Sequence, residues 1–328
     1  MVLPDDNVTP RPGTPSVPEV GVVVPLFWSS ATVVTLVERI VSVLESRRLT
    51  HEIVLIDDGS GDDTWPKVLG LAQRYPQVRA LRFTRNFGQQ AAMGMGMEAS
   101  TANWVFTIDA DLQDDPEHIP TMLDIARGGY DVVLAQWTDA VGSRGVRLSS
   151  ALFYRVFNRL TGVRLPRRTG TYRVMSRRVV DHYLSLSDRT EFFGGIIAWF
   201  GFPTTTFSVE RHEREHGKSG YSLRRRFSLA SSALVSFSTI PLKIAAWAGL
   251  LVCVGAILLG ILVIILRFVG VIVGAGFAGI MVTLLFMSGT ILLSTGIVGF
   301  YLGSLIRTAG HRPVSVVAER VGFDAPST

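Results

Sequence analysis

The chain has 328 residues, 48% of them hydrophobic, and a formal net charge of +5. That balance excludes a disordered or low-complexity protein and leaves room for one sizeable domain plus a further element. The single cysteine, Cys253, excludes an intrachain disulfide and a cysteine-based metal site, which fits a domain in the reducing cytosol.

Residues 1–19 carry Pro4, Pro10, Pro12, Pro15 and Pro18 and no apolar signal-peptide core, so they read as a disordered tail. From Val20 a strand to Leu26 precedes a helix from about Ala31 to Ser46. A second strand, Glu52 to Ile56, ends in Asp57-Asp58-Gly59-Ser60. Asp63 or Thr64 can cap the next helix, with Pro66 near its first turn. A third strand, Val78 to Phe83, leads through Arg85-Asn86-Phe87-Gly88 into a Met- and Ala-rich helix. A fourth strand, Trp104 to Ile108, stops at Asp109-Ala110-Asp111-Leu112-Gln113-Asp114. A helix from Pro116 to Arg127 and a strand from Asp131 to Ala135 follow, and Tyr172 to Val174 and Pro203 to Val209 read as further strands.

Strands alternating with helices predict an α/β fold, Rossmann-like, with a mostly parallel sheet whose ligands bind at the carboxyl ends of the strands. Asp57, Asp58, Asp109 and Asp111 all fall at those ends. In an extended segment residues i and i+2 point the same way, so Asp109 and Asp111 can aim both carboxylates at one hard cation, Mg²⁺ or Mn²⁺.

Residues 144–162 mix Arg144, Arg147, Arg155 and Arg159 with apolar side chains at helical spacing, which predicts a basic amphipathic helix. Arg224-Arg225-Arg226 opens a juxtamembrane segment over residues 223–243. Residues 244–266 and 268–306 carry no charge. About 20 such residues cross a bilayer, so residues 244–306 predict a C-terminal hairpin of two transmembrane helices that turns in the Gly-rich stretch after Arg267. Basic residues flank both ends of the hairpin. The catalytic domain, residues 20–222, and the tail, residues 307–328, are therefore expected on the cytoplasmic side of a plasma or inner membrane.

Val24-Pro25, Ile56-Asp57-Asp58-Gly59-Ser60 and Asp109-Ala110-Asp111-Leu112-Gln113-Asp114 resemble the motifs of glycosyltransferase family 2, which has the GT-A fold. Arg85-Asn86-Phe87-Gly88-Gln89, the stretch from Glu213 to Ser222, Arg312-Pro313 and the two-helix tail resemble its membrane-bound polyprenyl-phosphate glycosyltransferases more closely. The nearest of these in motifs are the undecaprenyl-phosphate formamidoarabinose and glucosyl transferases. The resemblance runs from about Val20 to Arg320. It implies that Pro25, Asp57, Asp58, Arg85, Asn86 and Asp109 bind the nucleotide sugar. It also implies that Asp109, Asp111 and Gln113 surround a divalent metal, and that the loop from Glu213 to Tyr221 closes over the acceptor phosphate.

The chemistry this implies is inverting transfer of one sugar from a nucleotide-diphosphate sugar, a UDP-sugar before a GDP-sugar, to a polyprenyl phosphate for cell-envelope glycan modification. Asp109 and Asp111 would be catalytic through the metal, with Arg147 and Arg173 as cationic partners. The acceptor phosphate, with a second pKa of about 6, needs positioning rather than a strong base. Candidates are Arg147, Arg211, Arg214, Lys218 and Tyr221. A lipid bilayer and further copies of the chain, in a tetramer as in relatives, are expected partners by the same resemblance, and nucleic acid is not. Four positions depart from the family pattern: Ser29, Trp137, Arg168 and Thr171. They motivate one alternative, a catalytically weak nucleotide-sugar-binding scaffold. The other alternative, a processive polysaccharide synthase, normally carries Gln-x-x-Arg-Trp, a string that does not occur in this chain.

Overall fold

The computed structural model describes residues 17–138, 168–186, 193–210, 276–309 and 313–323, with isolated positions between 247 and 269. The chain divides into two units. One comprises residues 1–147, 164–220 and 313–328; the other comprises residues 148–163 and 221–312.

The first unit is built on an eight-stranded sheet. Its strands are β1 (Val20–Leu26), β2 (His51–Asp57), β3 (Val78–Phe83), β4 (Trp104–Thr107), β5 (Val132–Trp137), β6 (Thr169–Ser176), β7 (Thr204–Val209) and β8 (Val317–Val321). They lie in the order β7-β5-β6-β4-β1-β2-β3-β8. Strands β4, β1, β2 and β3 pair in parallel, as do β5 and β7. β6 runs antiparallel between β4 and β5, and β8 runs antiparallel along β3. The sheet is thus mostly parallel, as expected.

Alternation along the central strands divides the core between two faces. Val20, Val22, Val24, Ile53 and Leu55 belong to one buried cluster. That cluster includes Val33, Leu36, Val37, Ile40, Val41 and Leu44, which recur at helical spacing along α1 (Val33–Ser46). It also takes residues from α2 (Thr64–Arg74) and α4 (Ile119–Arg127). The opposite face carries Val23, Val54 and Ile56, with α3 (Gln89–Ala99) against it. A Cβ on Gly96 would stand 2.3 Å from Val23 Cγ1, so glycine is what lets α3 lie this close to the sheet. Shorter helices α5 (Arg177–Leu184) and α6 (Phe193–Phe200) follow β6.

Two local outcomes differ from the expected pattern. Pro116 opens a single 3₁₀ turn, Pro116–His118, before α4, because the Asp115 carboxylate accepts from Glu117 N at 2.9 Å and tightens the entry. The C-terminal tail, residues 307–328, to which the sequence assigned no strand, contributes β8.

In the second unit, α7 (Phe277–Ala309) is 33 residues long, and its sequence has no charge before Arg307. Ile280, Leu284, Phe286, Ile291, Leu292 and Leu302 on it are exposed. Taken over the described residues alone, no helix is long and apolar enough to cross a membrane. Several α7 side chains lie outside that set, so its unbroken apolar length is a property of the sequence. Nearly half of the first expected span, residues 244–266, also lies outside the described residues. So do the juxtamembrane segment 223–243, the helix expected at 144–162, and Arg147, Arg211, Arg214, Lys218 and Tyr221.

Candidate active site

The carboxyl ends of β1, β2 and β4 form one edge, and the acids collect there. Register places Pro25 opposite Ile56 and Leu26 opposite Asp57, and Asp58 N donates to Leu26 O at 2.9 Å. Pro25 costs the ladder one donor and sits where β1 ends against β2.

Asp57 and Asp58 are both buried. Asp57 Oδ1 accepts from Ser60 N at 3.0 Å. Among the described residues its Oδ2 has no hydrogen bond, although Arg82 Nε stands 3.4 Å away. The guanidinium neutralises that oxygen without hydrogen-bond geometry and leaves an acceptor unmet. Asp58 turns the other way and accepts from Phe87 N at 2.7 Å and Gly88 N at 2.8 Å. Burial pushes its pKa up, against the pull of those two amides and of Arg85, and Asp57 adds to the rise.

Gly59 makes this turn possible. Its φ is +70°, and a Cβ there would lie 2.6 Å from the Arg85 carbonyl carbon. Gly59→Ala is therefore expected to destabilise the unit by at least ~1–2 kcal/mol from the left-handed backbone alone. The clash would also displace Arg85 and Asn86. Thermal melting and nucleotide titration of the variant check both effects.

Arg85 and Asn86 are exposed at the end of β3. The Arg85 guanidinium lies 4.1 Å from the Phe87 ring centroid and donates to Asn86 O at 3.1 Å. The next residues form the amino end of α3, and there the two acid groups meet. The amides of Phe87 and Gly88 hold Asp58, while Gln89 Nε2 donates to Asp109 Oδ1 at 2.6 Å.

Asp109 follows β4. It keeps a little accessible surface but is otherwise closely enclosed, and burial pushes its carboxyl up to about 7, helped by the negative charges of Asp114 and Asp111. Gln113 N donates to Asp111 Oδ1 at 3.2 Å, and Leu112 between them has φ +59°. A left-handed leucine costs energy that the surrounding turn must offset, and such backbones cluster at functional sites. Gln113 and Asp114 are buried. Asp114 Oδ1 accepts from Trp137 Nε1 at 3.3 Å.

Arg173 on β6 is the buried cation facing this group. It is held by the carbonyls of Thr171, at 3.3 Å from Nε, and of Gly170, and it lies 4.9 Å from the Phe193 centroid. Burial lowers its pKa to about 10, and the charge of Asp109 opposes that fall, so it stays protonated at neutral pH.

The donors at Asp109 and Asp111 are hard carboxylate oxygens, and the charges of Asp114 and Asp111 add to the burial that raises the Asp109 carboxyl. Among the described residues no three acidic, His or Cys side chains form a cage for a metal. Two hard carboxylates are the donor type that suits Mg²⁺ or Mn²⁺, ions that take their remaining ligands from water and substrate phosphates.

The structure brings together Pro25, Asp57, Asp58, Arg85, Asn86, Asp109, Asp111, Gln113 and Arg173. It adds Gln89 and Asp114, both within the motifs already singled out, and Arg82, which nothing in the sequence marks. Of the substituted positions, Ser29 N donates to Thr64 Oγ1 at 2.9 Å and ties the end of β1 to α2. Trp137 covers Gly170, where a Cβ would lie 2.5 Å from the indole.

Residues 22–184 match the family model described as glycosyl transferase family 2. An uncharacterized glycosyltransferase of Synechocystis sp. is 32% identical over 307 residues, 93% of this chain and 96% of that protein. A bactoprenol glucosyl transferase of Shigella phage SfV is 32% identical over 300 residues, 91% of this chain and 98% of that protein. A solved structure, glucosyl-3-phosphoglycerate synthase from Mycobacterium tuberculosis with Mn²⁺, UDP-glucose and phosphoglyceric acid, is 17% identical, with a TM-score of 0.46 over 66% of this chain and 78% of that one. With a family match over the acidic edge and relatives that match nearly end to end, the chain belongs to glycosyltransferase family 2.

Proposed function

We propose that the protein moves a single sugar, with inversion, from a UDP-sugar to a polyprenyl phosphate at the cytoplasmic face of a membrane. The observation that carries the reading is the amino end of α3, which joins Asp58 and Asp109 across the sheet edge. Two acid pairs held this way suit the two ends of a nucleoside diphosphate. Near-full-length similarity to a bactoprenol glucosyl transferase supports the lipid acceptor.

In this reading Asp57 and Asp58 bind the nucleoside. The unmet Asp57 Oδ2 favours a base that presents an N–H. Asp109 and Asp111, with Gln113 beside them, hold the cation. Mg²⁺ or Mn²⁺, when bound, supplies positive charge to the leaving diphosphate. Arg173 adds a fixed cation from β6, and Arg147, Arg211, Arg214, Lys218 and Tyr221 position the acceptor phosphate.

The membrane hairpin belongs to the same reading. Exposed apolar side chains along α7 favour a lipid surrounding. Thr283 and Thr290 turn their hydroxyls to the helix's own carbonyls, at 2.8 and 2.9 Å, as a helix in lipid requires.

The test is transfer by the purified full-length protein with Mn²⁺, a short polyprenyl phosphate and a panel of labelled nucleotide sugars. One donor is expected to yield an organic-soluble product. Nucleotide binding with no product from any donor would replace this reading with the scaffold alternative.

A further inference from the structure

We propose that Glu319, on the strand that returns to the sheet after the apolar C-terminal helix, is a positioning residue of the donor site and acts through Arg82 on Asp57. The proposal rests on the nucleotide-sugar reading of that site. β8 pairs antiparallel with β3 so that Arg82 stands directly opposite Glu319. Glu319 Oε1 accepts from Arg82 NH1 at 3.0 Å, and Oε2 accepts from Trp65 Nε1 at 3.1 Å. The indole thus fixes the carboxylate, and the carboxylate fixes the guanidinium. Arg82 lies 5.8 Å from the Trp65 ring centroid and reaches Asp57 with Nε at 3.4 Å.

Each member depends on the next. Asp57 is fully buried, and among the described residues its ion-pair partner is Arg82. A buried carboxylate needs such a partner to stay charged and fixed. Arg82 is itself 32% exposed, and a long side chain there has other rotamers to visit. Glu319 restricts that freedom, one oxygen accepting from Arg82 and the other from Trp65, alongside the bond from Arg82 Nη2 to Ser60 O at 3.5 Å. The pair is set by strand register, so it forms only when the tail lies on the sheet edge. A segment outside residues 22–184, the part that matches the family model, thereby positions the cation that pairs with Asp57.

The experiment is calorimetric titration of the full-length protein in lipid nanodiscs with UDP, and with GDP in parallel, in the presence of Mn²⁺. The variants are Glu319→Gln, Glu319→Asp, Arg82→Met and the double Glu319→Gln/Arg82→Met. Glu319→Gln is expected to weaken nucleotide binding about three- to tenfold, and the double variant to bind no worse than Arg82→Met alone, the non-additivity of residues that act as one unit. Glu319→Asp keeps the charge and recovers part of the loss. In transfer assays the donor KM of Glu319→Gln rises while kcat holds, and its melting temperature matches that of the parent. An edge strand with only a structural role would move melting instead, with unchanged affinity. Equal nucleotide affinity in parent and Glu319→Gln, or losses that add in the double variant, would overturn the proposal. A parent protein that binds neither nucleotide overturns the donor reading itself, and the proposal with it.

Discussion

Asp111→Ala is expected to lower sugar transfer by at least about 10³-fold, the equivalent of several kcal/mol of charge stabilisation lost at the leaving diphosphate. Asp111 lies just beyond β4 in a turn whose backbone is already set by Leu112 at φ +59°. Its carboxylate is only partly buried, so alanine leaves no cavity. Gln113 N loses one acceptor, at 3.2 Å. Folding should therefore survive the change. Nucleoside binding should survive too, since Asp57, Asp58 and Arg82 are untouched. The expected signature is a kcat collapse with intact melting and a nucleotide affinity that no longer responds to Mn²⁺. Radiolabel transfer and calorimetry on one preparation check all three. Parental transfer rates in the variant would sink the metal role of Asp109 and Asp111.

The acidic edge was legible because its signals are local. A strand that ends in Asp-Ala-Asp, and another that ends in Asp-Asp-Gly-Ser, identify themselves by short-range pattern, and the β/α alternation puts both at one end of a parallel sheet. What joins them is non-local. Gln89 meets Asp109, and the amides of Phe87 and Gly88 meet Asp58, only because β2, β3 and β4 take particular places around β1. Arg173 becomes the neighbour of Asp109 because β6 inserts antiparallel beside β4, a pairing that no local pattern announces. β8 was missed for a different reason. Val317–Val321 is a five-residue edge strand with a charged pair at its centre and little burial, so it lacks the alternation that marks a strand. Its partner Arg82 reads as an ordinary polar position on β3 until the tail is laid beside it.

Asp109→Asn separates stability from function. Burial, with Asp114 and Asp111, raises the folded-state pKa of Asp109 from 3.8 to about 7. Between those two values the folded protein holds a proton that the unfolded chain has released, so stability falls as pH rises through that window. Above it, wild-type protein without metal carries a desolvated carboxylate that costs on the order of 1–2 kcal/mol, after allowance for its remaining solvent contact. Asparagine removes the titration but keeps an oxygen for Gln89 Nε2 to bond. In chelator at pH 8 the variant is therefore expected to melt about 2–6 °C above wild type. At pH 4, where the folded wild-type side chain is also neutral, the gap should close. Mn²⁺ reverses the order: binding at Asp109 and Asp111 stabilises wild type by mass action, and the variant gains little. Transfer by the variant should be lost at every pH. Melting curves at the two pH values, with and without Mn²⁺, test this directly. A variant less stable than wild type in chelator at pH 8 would mean that Asp109 is held as a settled structural carboxylate through Gln89 and Arg173, with no unmet charge for a cation to relieve.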